Sequence, residues 1–175
     1  MNYIFLDNGF EEIEAITTID LLRRAQIELT TISVSGNKLV KGAHGINVEA
    51  DALFNNANFD DAQMLILPGG GTMLGEHDDF CQLIVEHNRQ NKLIAAICAA
   101  PAVLGKLGVL KGKQATCYPG FENALDESYV GGLVVESKNI ITAKGPGLSA
   151  DFAFCIIEKL KGAQVADQVY DTAQY

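Results

Sequence analysis

Cys98 is the residue of this sequence whose type and position most favour covalent chemistry. It follows an unbroken apolar run, Leu93 to Ile97, and small residues with Pro101 open a helical pattern beyond it. Such a run predicts a strand buried on both faces of a parallel sheet. Cys98 would then lie at the carboxyl end of that strand, where α/β sheets bind ligands and the amide N–H groups of the next helix favour a thiolate. An inert, buried cysteine is the alternative, but the alanines after Cys98 leave space around the sulfur and favour a reactive thiol.

Three glutamates near the start of the chain could supply an acid or base. Glu11, Glu12 and Glu14 follow a turn signal, Asp7-Asn8-Gly9, and lie in the first turn of a helix predicted to continue to Arg24. The helix dipole is by itself a sufficient reason for all three carboxylates. Glu14 points in a different direction from Glu12 and could face inward over the strand ends. It is therefore the candidate proton carrier.

A glycine-rich turn, Pro68-Gly69-Gly70-Gly71, follows the apolar run Met64 to Leu67. Glycines at the carboxyl end of a strand allow positive φ angles and close backbone approach, so their N–H groups could form an anion or oxyanion cradle. A flexible loop explains the same residues equally well. The segment has neither the GxGxxG pattern of dinucleotide sites nor the GK[ST] ending of a P-loop.

The net charge and the cysteines of this chain indicate which binding partners and which cellular compartment to expect. The formal net charge of -9 argues against nucleic-acid binding and against an anionic membrane surface. The N-terminus carries no basic leader, and the longest apolar stretch, Leu93 to Gly105, is too short to span a bilayer, so we expect a cytoplasmic protein. The four cysteines lack CxxC spacing, which favours reduced thiols over disulfides or a metal site. They are Cys81, Cys98, Cys117 and Cys155.

The order of apolar runs and helical patterns predicts one α/β domain over residues 1–175, a three-layer sandwich around a doubly wound, mostly parallel sheet of flavodoxin-like kind. Strands are predicted over 3–6, 29–34, 64–67, 93–97, 114–117 and 140–143, with a glycine-rich hairpin or a bulged edge segment over 39–48. Helices are predicted from Glu11 to Arg24, from Asp78 or Asp79 to about Asn88, after Cys98, and from Ser149 or Asp151 onward. His87 is expected at the surface.

Four segments resemble the ThiJ/PfpI superfamily in order and spacing: residues 9–14 (GFEEIE), 67–70 (LPGG), 95–101 (AAICAAP) and 144–147 (KGPG). They are most similar to the Parkinson-disease-protein-like, ThiJ-like branch. The resemblance implies a class I glutamine amidotransferase-like fold, a homodimer and no cofactor. It also implies that Cys98 is the reactive cysteine and Glu14 the acid hydrogen-bonded to it. Gly69, Gly70 and Ala99 would supply the backbone donors.

Residues that depart from the family pattern argue against two of the reactions known in the family. Ala99 stands where the protease-type branch has a histidine, which makes peptidase activity less favoured, and no histidine follows His87, which excludes the amidotransferase reaction. Tyr118 replaces a histidine that the branch often carries, and His44 replaces an arginine near an anion site, although Arg24 is retained. We expect Tyr118, Cys117, Arg24 and His44 at the rim of the pocket.

Two functions remain open from the sequence. The first is a cysteine-dependent, cofactor-free enzyme acting on reactive carbonyls, of glyoxalase or deglycase type, in which Cys98 adds to an aldehyde and Glu14 moves the proton. The second is a redox-sensing stress protein or chaperone in which Cys98 is oxidised. The expected partners are accordingly a small carbonyl substrate or a client protein.

Overall fold

A seven-stranded sheet forms the centre of the fold in the computed structural model, which describes residues 1–175. Nine strands are present: β1 (Asn2–Leu6), β2 (Leu29–Ser33), β3 (Leu39–Lys41), β4 (Asn47–Glu49), β5 (Ala52–Leu53), β6 (Met64–Leu67), β7 (Leu93–Ile97), β8 (Val134–Ser137) and β9 (Ile140–Ala143). The central sheet has the order β5-β2-β1-β6-β7-β9-β8. All its neighbours are parallel except β8 and β9, and β3 with β4 forms a separate antiparallel hairpin.

Helices cover both faces of this sheet, which makes the three-layer sandwich predicted from the sequence. The helices are α1 (Glu12–Arg24), α2 (Asp78–Arg89), α3 (Ala100–Lys106), α4 (Ser149–Lys161) and α5 (Ala163–Ala173). One face of the sheet packs against α1, α4 and α5, and the other against α2 and α3. The strands β1, β6 and the interior of β7 are buried on both faces because their residues are almost all apolar.

Several elements differ from the prediction. Residues 114–117 do not form a strand of the sheet, because β8 already occupies the edge of β9 beside them. Ala115 instead makes one isolated bridge with Tyr129, and the amide of Thr116 donates to the Thr142 hydroxyl at 2.9 Å. His87 is buried, not at the surface, and its Nε2 lies 3.0 Å from the Leu93 carbonyl oxygen. The short strands β5 and β8 and the helix α5 were not predicted.

The connections after the parallel strands meet at one edge of the sheet. Asp7 follows β1, Pro68 to Gly71 follow β6, and Cys98 follows β7, so the carboxyl ends of three neighbouring strands bring these residues together. None of the helices combines the length and the apolar character that crossing a membrane would require.

Candidate functional site

Cys98 lies on a strained turn between β7 and α3. Its φ angle is +66°, in the left-handed region that residues other than glycine rarely occupy. Two backbone hydrogen bonds hold this conformation: the Cys98 amide donates to the Ala143 carbonyl at 2.9 Å, and the Tyr118 amide donates to the Cys98 carbonyl at 2.8 Å. The turn projects the sulfur from the sheet edge, as in the nucleophile elbow of other α/β enzymes.

Glu14 is fully buried in the first turn of α1 and its carboxyl group is the hydrogen-bond partner of the Cys98 thiol. The amide of Gly69 donates to Glu14 Oε2 at 2.6 Å. Gly69 has to be a glycine, since a Cβ atom there would lie 2.5 Å from Glu14 Oε2 and 2.6 Å from the Cβ of Cys98. Three segments distant in sequence therefore converge on one sulfur and one carboxyl group.

The predicted backbone donors are all present but serve two different groups. The amides of Gly70 and Ala99 are hydrogen-bonded to the Cys98 sulfur, whereas the amide of Gly69 is committed to Glu14. A cradle of N–H groups at the sulfur stabilises negative charge there. The same donors would lie next to an oxyanion formed on a substrate attached to Cys98.

The two groups titrate as a pair. Burial raises the pKa of Glu14 to about 7. Burial and the negative charge of Glu14 raise the pKa of Cys98 to about 12, in spite of the amides of Ala99 and Gly70. The expectation of a lowered thiol pKa considered only helix-terminal amides, whereas burial and an ionised Glu14 in contact with the sulfur raise the pKa of the thiol, so the two values belong to the Cys98–Glu14 pair and not to either residue alone. Between about pH 7 and 12 the pair shares one proton and one negative charge.

The hydrogen-bond donors favour placing that charge on sulfur. Glu14 Oε1 is buried and has no hydrogen-bond partner, so an ionised carboxylate would carry a poorly solvated oxygen. With the proton on Glu14, the acid donates to the thiolate while Oε2 still accepts from Gly69, and the sulfur keeps the two amides of Gly70 and Ala99. The reactive state is thus a thiolate next to a protonated acid.

His44 lies beside this site without touching the sulfur. Its ring Nδ1 is 3.0 Å from Glu12 Oε2 and 3.5 Å from Glu11 Oε1, and its amide donates to Glu12 Oε1 at 2.7 Å. The neighbouring carboxylates raise the pKa of His44, and hydrogen bonds lower the pKa of Glu12 to about 2. The atoms of Glu11, Glu12 and His44 that could bind a metal ion all lie within 4.8 Å of one another. Both carboxylate oxygens of Glu12 are already hydrogen-bonded, however, so Glu12 and His44 form an ion pair that anchors the β3–β4 hairpin to α1.

The structure places the other predicted rim residues in three different positions. Tyr118 is exposed and its ring packs over Gly145, next to the Cys98 turn. Cys117 is fully buried in the apolar layer with α2 and α3. Arg24 lies at the other end of α1, where it pairs with Asp20 at 2.7 Å, so this protomer does not bring it to Cys98.

Sequence reasoning missed one backbone group at the site and the anchoring role of Glu12. The Ala143 carbonyl that accepts from Cys98 is a backbone atom, and no residue type predicts it. Glu12 could have been found through Gly42, where a Cβ atom would clash with the Glu12 carboxylate. A glycine in an otherwise ordinary hairpin is a signal that another segment approaches closely.

Comparison with known proteins identifies the family of this chain. The model of the DJ-1/PfpI family matches residues 2–159. The protein dj-1beta of Drosophila melanogaster is 37% identical over 95% of this chain and 92% of its own length, and a Caenorhabditis elegans protein called glutathione-independent glyoxalase DJR-1.2 is 32% identical over 88% and 84%. The solved structure of oxidised Toxoplasma gondii DJ-1 has a TM-score of 0.96 and 32% identity, covering 99% of this chain and 97% of that one. The chain therefore belongs to the DJ-1/PfpI family.

Proposed function

We propose that this protein is a cofactor-free enzyme that uses Cys98 to convert small reactive carbonyl compounds, with chemistry of the glyoxalase or deglycase type. The observation that carries the proposal is a sulfur on a strained turn in contact with a buried acid whose pKa is about 7. An acid with that pKa can both give and take a proton near neutral pH. The name of the C. elegans relative, a glutathione-independent glyoxalase, supports the same class of reaction.

With methylglyoxal, the first step is addition. The Cys98 thiolate attacks the aldehyde carbon, a C–S bond forms, and the electron pair of the C=O double bond moves to oxygen. The oxygen takes the proton of Glu14, which gives a hemithioacetal and a Glu14 carboxylate. The amides of Gly70 and Ala99, which face the sulfur, are placed to stabilise the developing alkoxide.

The second step moves a hydrogen between the two substrate carbons. The Glu14 carboxylate removes the proton from the former aldehyde carbon to give an enediolate and returns it to the neighbouring carbon, while the hydroxyl proton passes from the first oxygen to the second. The product is a lactoyl thioester: one carbon is oxidised by two electrons and the other is reduced by two, so no external oxidant is consumed. Water then cleaves the thioester, which releases lactate and restores Cys98. The net reaction adds one water to methylglyoxal.

Lactate formation from methylglyoxal tests the proposal. The Cys98→Ser variant should lose at least about 100-fold in rate, because a serine hydroxyl is a much weaker nucleophile than a thiolate. Cys81→Ser, which changes a cysteine of α2 far from the elbow, should keep the wild-type rate. Equal rates in wild type and Cys98→Ser would refute the proposal.

A second function, sensing of peroxide by Cys98, is supported by the relative from T. gondii, whose solved structure is of the oxidised protein. Hydrogen peroxide would convert the thiolate to sulfenic acid and a second peroxide to sulfinic acid, each step releasing one water. A protonated Glu14 can donate to a sulfinate oxygen. Cys117 is buried in an apolar layer, which disfavours a Cys98–Cys117 disulfide. Mild peroxide should therefore add the mass of two oxygen atoms to Cys98, whereas a loss of two hydrogens with a crosslinked Cys98–Cys117 peptide would contradict the sulfinic acid product.

We also propose that two copies of the chain associate through the exposed face of α1. Ile13 and Ile16 are 56% and 42% exposed, an unusual exposure for isoleucines one helical turn apart. A second copy packed there would cover both residues, and Glu14 lies between them in sequence, so the interface would adjoin the reactive site.

A further inference from the structure

A second cavity, of about 440 Å³, lies at the carboxyl edge of the sheet and does not involve Cys98. Its walls are the end of β2 with the turn after it, residues 53–55 after β5, and residues 77–80 at the start of α2. Two strands, β1 and β6, lie between β2 and β7, so this cavity is distinct from the reactive site. Its volume is in the range of small-molecule sites, and this edge of α/β sheets is where ligands bind.

A fixed imidazole faces this region. His77 lines the cavity, and its Nε2 lies 2.7 Å from Oδ2 of Asp7, the residue that follows β1. The Asp7 side chain is only 12% exposed, and its Oδ1 accepts the amide of Asn8 at 2.8 Å. Because a carboxylate only accepts, Nε2 carries the ring proton and Nδ1 of a neutral His77 is an acceptor. Nδ1 has no hydrogen-bond partner in the chain.

The remaining lining sets the charge of a suitable ligand. Asp78 and Asp79 contribute two carboxylates, and no lysine or arginine lines the cavity. Phe54 is half-buried and packs against Phe80 with ring centroids 6.3 Å apart, which supplies an aromatic wall. An anion would meet two carboxylates with no cationic side chain. A purely apolar ligand would leave the Nδ1 acceptor without a donor.

We propose that this cavity binds a small primary ammonium ion attached to an apolar body. An ammonium N–H donates to Nδ1 of His77, the positive charge pairs with Asp78 or Asp79, and the apolar body packs on Phe54, whose ring face also attracts a cation. The proposed site contains neither Cys98 nor Glu14, so it can be tested independently of the carbonyl chemistry.

Titration of the isotope-labelled protein with 2-phenylethylamine, followed by amide NMR shifts near pH 8 in about 0.15 M salt, tests the ligand class. At this pH the amine is charged. The uncharged 2-phenylethanol and the anionic 3-phenylpropionate are matched ligands of similar shape. The amine should shift amides of residues 33–36 and 77–80 and bind at least about tenfold more tightly than the alcohol, since it adds a charged donor. Equal affinity for amine and alcohol, or shifts centred on Cys98, would overturn the proposal.

Charge variants separate a site from diffuse attraction to an acidic protein. The double variant Asp78→Asn with Asp79→Asn should weaken amine binding about fivefold or more, a typical effect of removing charges near a bound cation. Asp167→Asn with Asp171→Asn removes the same charge from α5 and should leave the affinity unchanged. Equal weakening in both double variants would show that the amine responds only to the net charge of -9.

Discussion

At the scale of single residues, the site formed by Cys98 and Glu14 lowers the stability of the folded protein and makes the sulfur reactive. Burial raises the pKa of Glu14 to about 7 in spite of its hydrogen bonds with Cys98 and Gly69, and Glu14 Oε1 has no hydrogen-bond partner. The Cys98 backbone adds strain at φ +66°. A cluster of perturbed groups of this kind is what a reactive centre requires and what a structural core avoids.

Glu14 should make the protein less stable as the pH rises. The folded state binds the Glu14 proton more tightly than the unfolded state, whose carboxyl has a pKa of 4.5, so stability is lost between about pH 4.5 and 7. A shift of this size corresponds to about 3 kcal/mol at pH 8. The Glu14→Gln variant should therefore match wild type near pH 4.5 and exceed it at pH 8 in urea denaturation.

His87 makes it necessary to compare variant and wild type at each pH. Burial lowers the pKa of His87 to about 4, whereas the pKa of an unfolded histidine is 6.5. Between these two pH values His87 makes the protein more stable as the pH rises, which offsets the loss of stability caused by Glu14. The difference between Glu14→Gln and wild type cancels this effect. A difference that does not change with pH would mean that folding does not shift the pKa of Glu14.

Cys98 should react with iodoacetamide faster than the other cysteines at neutral pH. Its rate should rise through pH 7, because the Cys98–Glu14 pair loses its first proton there. Cys117 is buried, and burial raises the pKa of Cys117 and of Cys155 to about 11. Burial also raises the pKa of Cys81. Mass spectrometry after brief labelling would show this, and comparable labelling of two cysteines would contradict it.

At the scale of elements, the turn after β6 determines the geometry of the site. Gly69→Ala would place a Cβ atom against Glu14 and Cys98, and neither can move without breaking the hydrogen bond that joins them. We expect this variant to fold with a loss of about 1–3 kcal/mol and to lose most lactate formation. Gly147→Ala, at a position with open space and no positive φ, is the matched control and should behave as wild type. An active Gly69→Ala variant would show that the contact is not required.

The buried strands could be predicted from the sequence because each is an unbroken apolar run followed by a glycine-rich or small-residue turn. The sequence also placed Cys98 and the Gly69–Gly70 turn at one edge of the sheet, since carboxyl ends of parallel strands share one edge, whereas the pairing of Glu14 with Cys98 came from the resemblance to the family. The sequence could not show that β8, and not residues 114–117, pairs with β9 at the edge of the sheet, because strand pairing depends on competition between distant segments. The buried state of His87 and the position of Cys117 likewise depend on packing that residue type does not determine.

At the scale of the whole molecule, association through α1 should be visible as mass. Light scattering should give about twice the 18.8 kDa of one chain. Ile16→Lys, which puts a charge in the proposed interface, should shift the protein toward a single chain. Leu133→Lys changes an exposed apolar residue (62% exposed) ahead of the edge strand β8 and is the control. A wild-type mass of one chain would contradict the proposed dimer.

The central claim is that Glu14 carries the proton for chemistry at Cys98. Glu14→Gln tests it directly when alkylation of Cys98 and lactate formation from methylglyoxal are measured on the same sample. The glutamine amide can still donate to the sulfur, so alkylation should stay within a few fold of wild type, whereas lactate formation should fall at least about 100-fold because an amide cannot exchange a proton. Unchanged lactate formation in this variant would contradict the account.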